Sequence, residues 1–314
     1  MLKPIPKTER LILPEKEWVC TFSDDFAFLD RTKWKFDLPH DPKDPALDGV
    51  RRCCFNVEDE AVVFVRDGQL RIRPLWKNGK YGEGWYSAML DTGRFGSFVS
   101  VDSTAPEYRG FSQTYGYFEV RCKVPKAVGI WSAFWLMPDN DIAFSENDVQ
   151  FSGEDGVEID VMESPHMFMR TRFGKNRNIH CLHADGYDDR LKSVRSPAFY
   201  VPRMYDDFHT YGLLWEQDKY SFYIDGYKTW ETEHIYKGRR MGVCRVPEYL
   251  LLSTEVAGFM ENGKPYPGKQ KDPKTGKLTP YWCGNPDKND KTKPYDFVVD
   301  WVKVYQKRGK FDEK

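Results

Sequence analysis

The residues best suited to chemistry lie in one short stretch, Gly156-Val157-Glu158-Ile159-Asp160-Val161-Met162-Glu163. Three carboxylates sit there among Val, Ile and Met, which otherwise favour a buried strand. Burying an acid is costly, so acids in such a setting call for a reason. Alternate residues of a strand share a face, so Glu158 and Asp160 point one way and Ile159 and Val161 the other. Strict alternation sends Glu163 to the apolar side; one extra residue, a β-bulge, returns it to the other acids. Acids converging on one side of a sheet suit acid/base work on a sugar. Retaining glycosidases need two carboxyl groups about 5–5.5 Å apart, one as nucleophile and one as acid/base. Four steps of straight strand cover about 13 Å at about 3.3 Å each, so bending at the bulge must close the gap. Two other readings fit the same acids: the wet side of a half-exposed strand, and a calcium site.

The elements that must position these acids are strands. Helical periodicity is scarce, and short alternating runs separated by turn signals predict an all-β sandwich or barrel. Val62–Arg66, Asp67-Gly68 and Gln69–Arg73 predict a hairpin with an Asp-Gly turn. Phe118, Val120, Cys122 and Val124 alternate with Glu119, Arg121 and Lys123, giving one buried and one wet face. Tyr211–Trp215 and Tyr220–Asp225 form a second hairpin, followed by Asp225-Gly226. Residues 247–256 predict a central strand and Phe297–Tyr305 the last one. No internal repeat or linker interrupts the 314 residues, which predicts one domain over 1–314. The composition shifts only across about 260–294, where a lysine-rich segment reads as a loop insertion; it either lies solvated or covers one end of a cleft, with Tyr281-Trp282 reaching towards substrate.

Composition narrows the classes. A formal charge of −1 argues against a nucleic-acid partner. No run approaches a membrane span, and the opening Met1–Lys7 lacks the apolar stretch of a signal peptide. Aromatics make up 16% of the chain, which suits both strands and flat platforms for sugar rings. Seven cysteines cannot all pair, which favours a reducing compartment. Trp131 and Trp135, four apart, share a face, in the core or in a cleft. His180 and His183, three apart, fall on opposite faces, which disfavours a shared metal; of the two, His183 is assigned to the cleft. His209 reads as structural, while Arg51-Arg52 either binds substrate or lies exposed.

Glu158-Ile159-Asp160-Val161-Met162-Glu163 resembles the E-x-D-x-x-E signature of glycoside hydrolase family 16 in its bulged form. The likeness extends to Tyr115–Arg121 and Gly129–Pro138 upstream, Phe208–Gly212 and Phe222–Gly226 downstream, Asp300–Gln306 at the end, and Phe22–Phe26 with Leu29-Asp30 and Trp34 at the start. Tyr117, where the family often has Arg, and the 260–294 segment depart from the pattern.

The resemblance implies a curved β-jelly-roll of two stacked antiparallel sheets, the concave one forming a substrate cleft. It implies Glu158 as nucleophile, Glu163 as acid/base and Asp160 between them tuning Glu158. It makes Trp131, Trp135, His183 and Trp282 candidate substrate contacts. No cofactor is needed for catalysis; Asp300, with Asp24 or Asp25, is a candidate for a structural calcium site. The implied activity is that of a monomeric, laminarinase-like retaining endo-hydrolase of β-1,3- or mixed β-1,3/1,4-glucan. The alternatives are a β-galactan hydrolase (agar, porphyran, carrageenan or host-glycan type), a transglycosylase, and a non-catalytic glycan-binding jelly roll. Family habit implies action outside the cytoplasm, against the cysteine count: either a leader has been removed or this member works inside on imported oligosaccharides.

Overall fold

The computed structural model describes residues 2–39, 50–94, 107–139, 152–165, 176–186, 189–256, 258, 260–261, 264–265, 281 and 284–309. Two large sheets dominate it. At the centre of the first run, in order, Arg177–Ala184 (the histidine strand), Glu158–Pro165 (the acid strand), Ile130–Pro138 (the tryptophan strand), Glu248–Val256 and Gly82–Asp91, all antiparallel. The second runs Tyr227–Thr232, Tyr220–Ile224, His209–Trp215, Gly116–Lys123, Phe297–Lys307, Gln69–Ile72 and Val63–Arg66. Trp18–Asp24 also pairs with Phe297–Lys307, which joins an early strand to the last one in the second sheet. Among the described residues, parallel pairing is confined to two short contacts, Lys3–Pro4 with Phe199–Tyr200 and Phe55-Asn56 with Tyr86-Ser87. Among the described residues the one helical element is a 3₁₀ turn, Pro286–Lys288.

The expected hairpins form. Asp67 and Gly68 both have positive φ, 56° and 66°, as do Asp225 and Gly226, 53° and 77°. Two such residues in succession make the turn whose twist matches that of paired strands. The Gly116–Lys123 strand alternates as its sequence predicts: Phe118, Val120 and Cys122 join the core, while Glu119, Arg121 and Lys123 are half-buried on the other side.

One hydrophobic cluster lies between the sheets and reaches from Phe22 to Val304. The first sheet contributes Phe134, Leu136, Ile159, Val161, Met162, Leu182, Leu250 and Leu252; the second contributes Phe118, Val120, Leu213, Trp215, Phe222, Val302 and Val304. Burying a side chain of this size stabilises the fold by about 1.5–3 kcal/mol. A smaller cluster of Met89, Ala133, Trp135, Met137, Tyr249 and Leu251, with Trp131 against it, covers the opposite face of the first sheet. That sheet is therefore apolar on its inner face and partly apolar on its outer one, and the outer face carries the acids. Tyr117 lies in the second sheet, away from them, its hydroxyl donating to Glu119 at 2.9 Å.

Six cysteines, 20, 53, 54, 122, 181 and 244, are unbridged, and all but Cys20 are buried. No helix among the described residues is long and apolar enough to cross a membrane.

Candidate active site

The expected bulge is present. Along the tryptophan strand, Ala133 faces Glu163, Phe134 faces Met162, and Trp135 faces Asp160, so Val161 is the extra residue. Against the histidine strand, Glu158 faces His183, Asp160 faces Cys181 and Glu163 faces Ile179. Five steps of the acid strand thus match four of its neighbour. Directly paired residues point to one side of a sheet, so the register gathers Glu158, Asp160 and Glu163 with Trp131, Trp135, Cys181 and His183 on the outer face. Val161 and Met162, adjacent in sequence, are both fully buried in the inner core. That double inward turn carries Glu163 outward.

A histidine beneath the sheet holds the bulge. His180 is fully buried, and its Nδ1–H donates to the carbonyl of Val161 at 2.7 Å. Its Nε2 lies 2.9 Å from the Thr229 hydroxyl on the second sheet, and its ring stacks on Phe222. Burial lowers its pKa to about 4, so the ring is neutral at ordinary pH and the Val161 contact selects the Nδ1–H tautomer. His183 points the other way, as its spacing from His180 predicts. The acid strand begins where the buried Glu248 carboxylate accepts the Val157 N–H at 3.2 Å.

The triad is poorly solvated. The Glu158 side chain is 14% exposed and that of Asp160 4%. His183 Nε2 stands 3.4 Å from Asp160 Oδ2 and 4.0 Å from Glu158 Oε1, with its Nδ1 held 2.7 Å from the Ser193 hydroxyl. Burial pushes all three acids up to about 8. The charge of Asp160 adds to this at Glu158 and Glu163, while His183 opposes it at both. Arg52 opposes it at Glu158, Arg195 at Asp160 and Glu163, and a hydrogen bond from Trp131 at Glu163. The three acids are coupled, so each favours the protonated form more than a free carboxyl does and the charge on one opposes the charge on the next. One carboxylate charged beside one carboxyl protonated is what double displacement at a sugar requires.

Trp131 and Trp135 share the acid-bearing face. Trp131 is half-buried beside Glu163; Trp135 is buried, its indole N–H donating to Ser253 Oγ at 3.1 Å. Trp282 lies outside the described residues, as does most of the lysine-rich segment; its neighbour Tyr281 packs against the cluster of Cys53, Cys54, Trp85, Ala127, Ile130 and Val256. Arg52 forms an ion pair with Glu255 at 3.5 Å, at the edge of the acid-bearing face. His209 is structural, its Nδ1 2.9 Å from Asp225 Oδ2.

Asp300 lies in the Phe297–Lys307 strand of the second sheet. Its carboxylate pairs with Arg121 and takes a contact from Gln69, while the buried Asp24 accepts from the Phe26 N–H and the Trp34 indole, and Asp25 is exposed. Among the described residues, the group of three potential metal ligands is instead Asp160, Cys181 and His183. Cys181, Ser193 and Arg195 join the site through register between strands, Cys181 pairing with Arg195 and His183 with Ser193, and no local pattern in the sequence marks them.

The sequence model of Glycosyl hydrolases family 16 matches residues 100–258, about half of the chain. The chain belongs to glycosyl hydrolases family 16. The match contains the acid, tryptophan and histidine strands. Among family 16 relatives, a beta-glucanase of Rhodothermus marinus is 25% identical over 202 residues, 62% of this chain and 58% of that one. A beta-glucanase of Acetivibrio thermocellus is 33% identical over 171 residues, 53% of this chain and 42% of that one. The chain therefore spans less than two thirds of the length of these curated relatives. The crystal structure of SCLam, described as a non-specific endo-beta-1,3(4)-glucanase from family GH16, superposes with a TM-score of 0.63 at 21% identity, covering 97% of this chain and 96% of that one. That likeness shows the fold: the two sheets are the curved jelly-roll of family 16.

Proposed function

We propose that this chain is a retaining endo-glycosidase that cleaves internal bonds of a β-1,3- or mixed β-1,3/1,4-glucan. The observation that carries the reading is the bulge at Val161, which puts Glu158, Asp160 and Glu163 on one face beside Trp131 and Trp135. Glu158 attacks the anomeric carbon and forms a glycosyl-enzyme. Glu163 protonates the departing oxygen, then takes a proton from the water that releases the sugar. Asp160 lies between them and, with His183, sets where the shared proton resides. Trp131, half-buried, supplies flat apolar surface to a pyranose ring, and the buried Trp135 belongs to the cluster that backs it. The choice of β-glucan follows the names of the relatives. The continuous core from Phe22 to Val304 supports one catalytic domain. Asp300, paired with Arg121, is read as structural without calcium.

Product analysis on laminarin, mixed-linkage glucan, agarose, porphyran and carrageenan tests this, with Glu158→Gln run in parallel. Oligosaccharides from the first two, absent with the variant, are expected. Products from agarose, porphyran or carrageenan alone would move the substrate to a β-galactan. Longer products with no net gain in reducing ends would indicate a transglycosylase. Binding without products from folded protein would indicate a lectin.

A further inference from the structure

Cys181 has no part in a double displacement, yet it stands inside the triad. Its Sγ is 3.1 Å from His183 Nε2, and that nitrogen is 3.4 Å from Asp160 Oδ2. The three potential ligand atoms all lie within 4.8 Å of one another. Asp160 is 3% exposed, and its Oδ2 has no hydrogen-bond partner, an orphaned buried acceptor at the centre of the group. His183 is oriented as a metal-binding histidine is: Nδ1 is held by Ser193 Oγ at 2.7 Å, which leaves Nε2 turned to the sulfur and the carboxylate. Around a tetrahedral Zn²⁺, bonds of about 2.0–2.3 Å place neighbouring N, O and S ligand atoms about 3.4–3.6 Å apart. The two measured separations need to change by no more than a few tenths of an ångström.

We propose that Asp160, Cys181 and His183 form a site for a soft divalent transition cation, Zn²⁺ foremost, and that its occupation switches off the triad. Mixed thiolate, imidazole and carboxylate donors suit Zn²⁺ and disfavour Ca²⁺ and Mg²⁺, which prefer oxygen. Binding forms a Zn–S bond and releases the thiol proton to solvent; no oxidant or reductant is involved. Two anionic ligands and a neutral imidazole balance the cation's two charges, and the nearby Arg195 adds one positive charge to the loaded site. Glu158 lies beside the group, its Oε1 4.0 Å from His183 Nε2. A bound cation takes Asp160 and His183 away from the shared proton and places two positive charges beside the nucleophile. The metal site itself does not depend on the proposed substrate.

The test is titration of the full chain with Co²⁺, a spectroscopic stand-in for Zn²⁺. One equivalent is expected to produce a thiolate-to-cobalt charge-transfer band that Zn²⁺ abolishes by displacement. Cys181→Ser should remove the band and weaken binding at least ~100-fold, and Ser193→Ala should weaken it by about 10-fold, the usual effect of losing a partner behind a ligand. No thiolate band in the parent protein overturns the proposal, as does a band that persists in Cys181→Ser and so belongs to another thiol, such as exposed Cys20. If Cys181→Ser does not fold, Asp160→Asn decides: unchanged cobalt affinity overturns the site, and loss of affinity supports it. On the glucan that proves to be the substrate, Zn²⁺ should inhibit over the range in which it displaces Co²⁺, and a chelator should restore activity. Failure of the substrate assignment leaves the cobalt result readable.

Discussion

The outward faces of the two sheets carry similar residues to opposite ends. On the second sheet each acid meets a partner. Arg121 pairs with Asp300 and lies 4.7 Å over the Phe208 ring. Arg73 grips Asp296 with two hydrogen bonds, 2.6 and 2.9 Å. Glu119, pushed up by burial, is held down by hydrogen bonds from Tyr117 and Thr210 and by Lys303. On the first sheet three acids stand together; Arg52 and Arg195 act on them through space, His183 is the closest base, and one Asp160 oxygen has no hydrogen bond. Compensated charge on a sheet face is structural. Acids crowded together on a half-covered face raise the free energy of the fold, and a site that must move protons is where such a cost is retained.

The largest expected break of this contrast is Glu158→Gln. Turnover on the substrate polymer should fall at least ~10³-fold while oligosaccharide binding, measured by calorimetry, persists. An active variant would remove Glu158 from the nucleophile's role.

His180→Ala comes next, because it strikes the bulge from below without touching the acids. It empties a packed site and leaves the Val161 carbonyl without its donor, so denaturant unfolding should show a loss of about 2–4 kcal/mol. The same variant should lower kcat more than it raises KM, since the acids are displaced while the tryptophan face remains. Equal loss of activity and stability in Phe199→Ala, which lines the same ring, would make His180 a packing residue only.

Stability against pH separates the two faces more gently. Burial pushes the triad's pKa values in the folded protein up to about 8, above the ordinary carboxyl values of 3.8 and 4.5. Folded protein therefore holds more protons than unfolded protein between about pH 4 and 8, and the triad's contribution to stability is lost as pH rises through that window. The triple variant Glu158→Gln, Asp160→Asn, Glu163→Gln should melt higher than the parent at pH 8–9, with the gain shrinking towards pH 4. A gain that grows on acidification would mean that the acids are ionised and stabilised in the folded state.

The smallest effect belongs to the second sheet. Arg121→Ala breaks a half-exposed pair and should cost no more than about 1 kcal/mol, with activity unchanged. An effect of several kcal/mol would show that this face is as finely balanced as the other.

Much of this was legible beforehand because it rests on period and turn chemistry. Asp-Gly pairs mark hairpins through their tolerance of positive φ, and Phe118 to Val124 declare their faces by alternation. The extra residue between Asp160 and Glu163 was readable for a different reason: without a bulge, Glu163 would lie in the core, at a cost that a strand does not bear. His180 and His183 were assignable to opposite faces by parity alone.

What parity could not supply is which strands lie side by side. Cys181, Ser193 and Arg195 join the acids through pairing between strands that are 20 to 35 positions away along the chain, and nothing local to any of them announces it. The same holds for Asp300, whose partner Arg121 is 179 positions away. The sequence by itself determined strand, turn and bulge, because backbone geometry and the cost of burying charge act within a few residues. The tertiary structure alone decided which charges are compensated, because electrostatic partners and burial depend on how distant strands are brought into register.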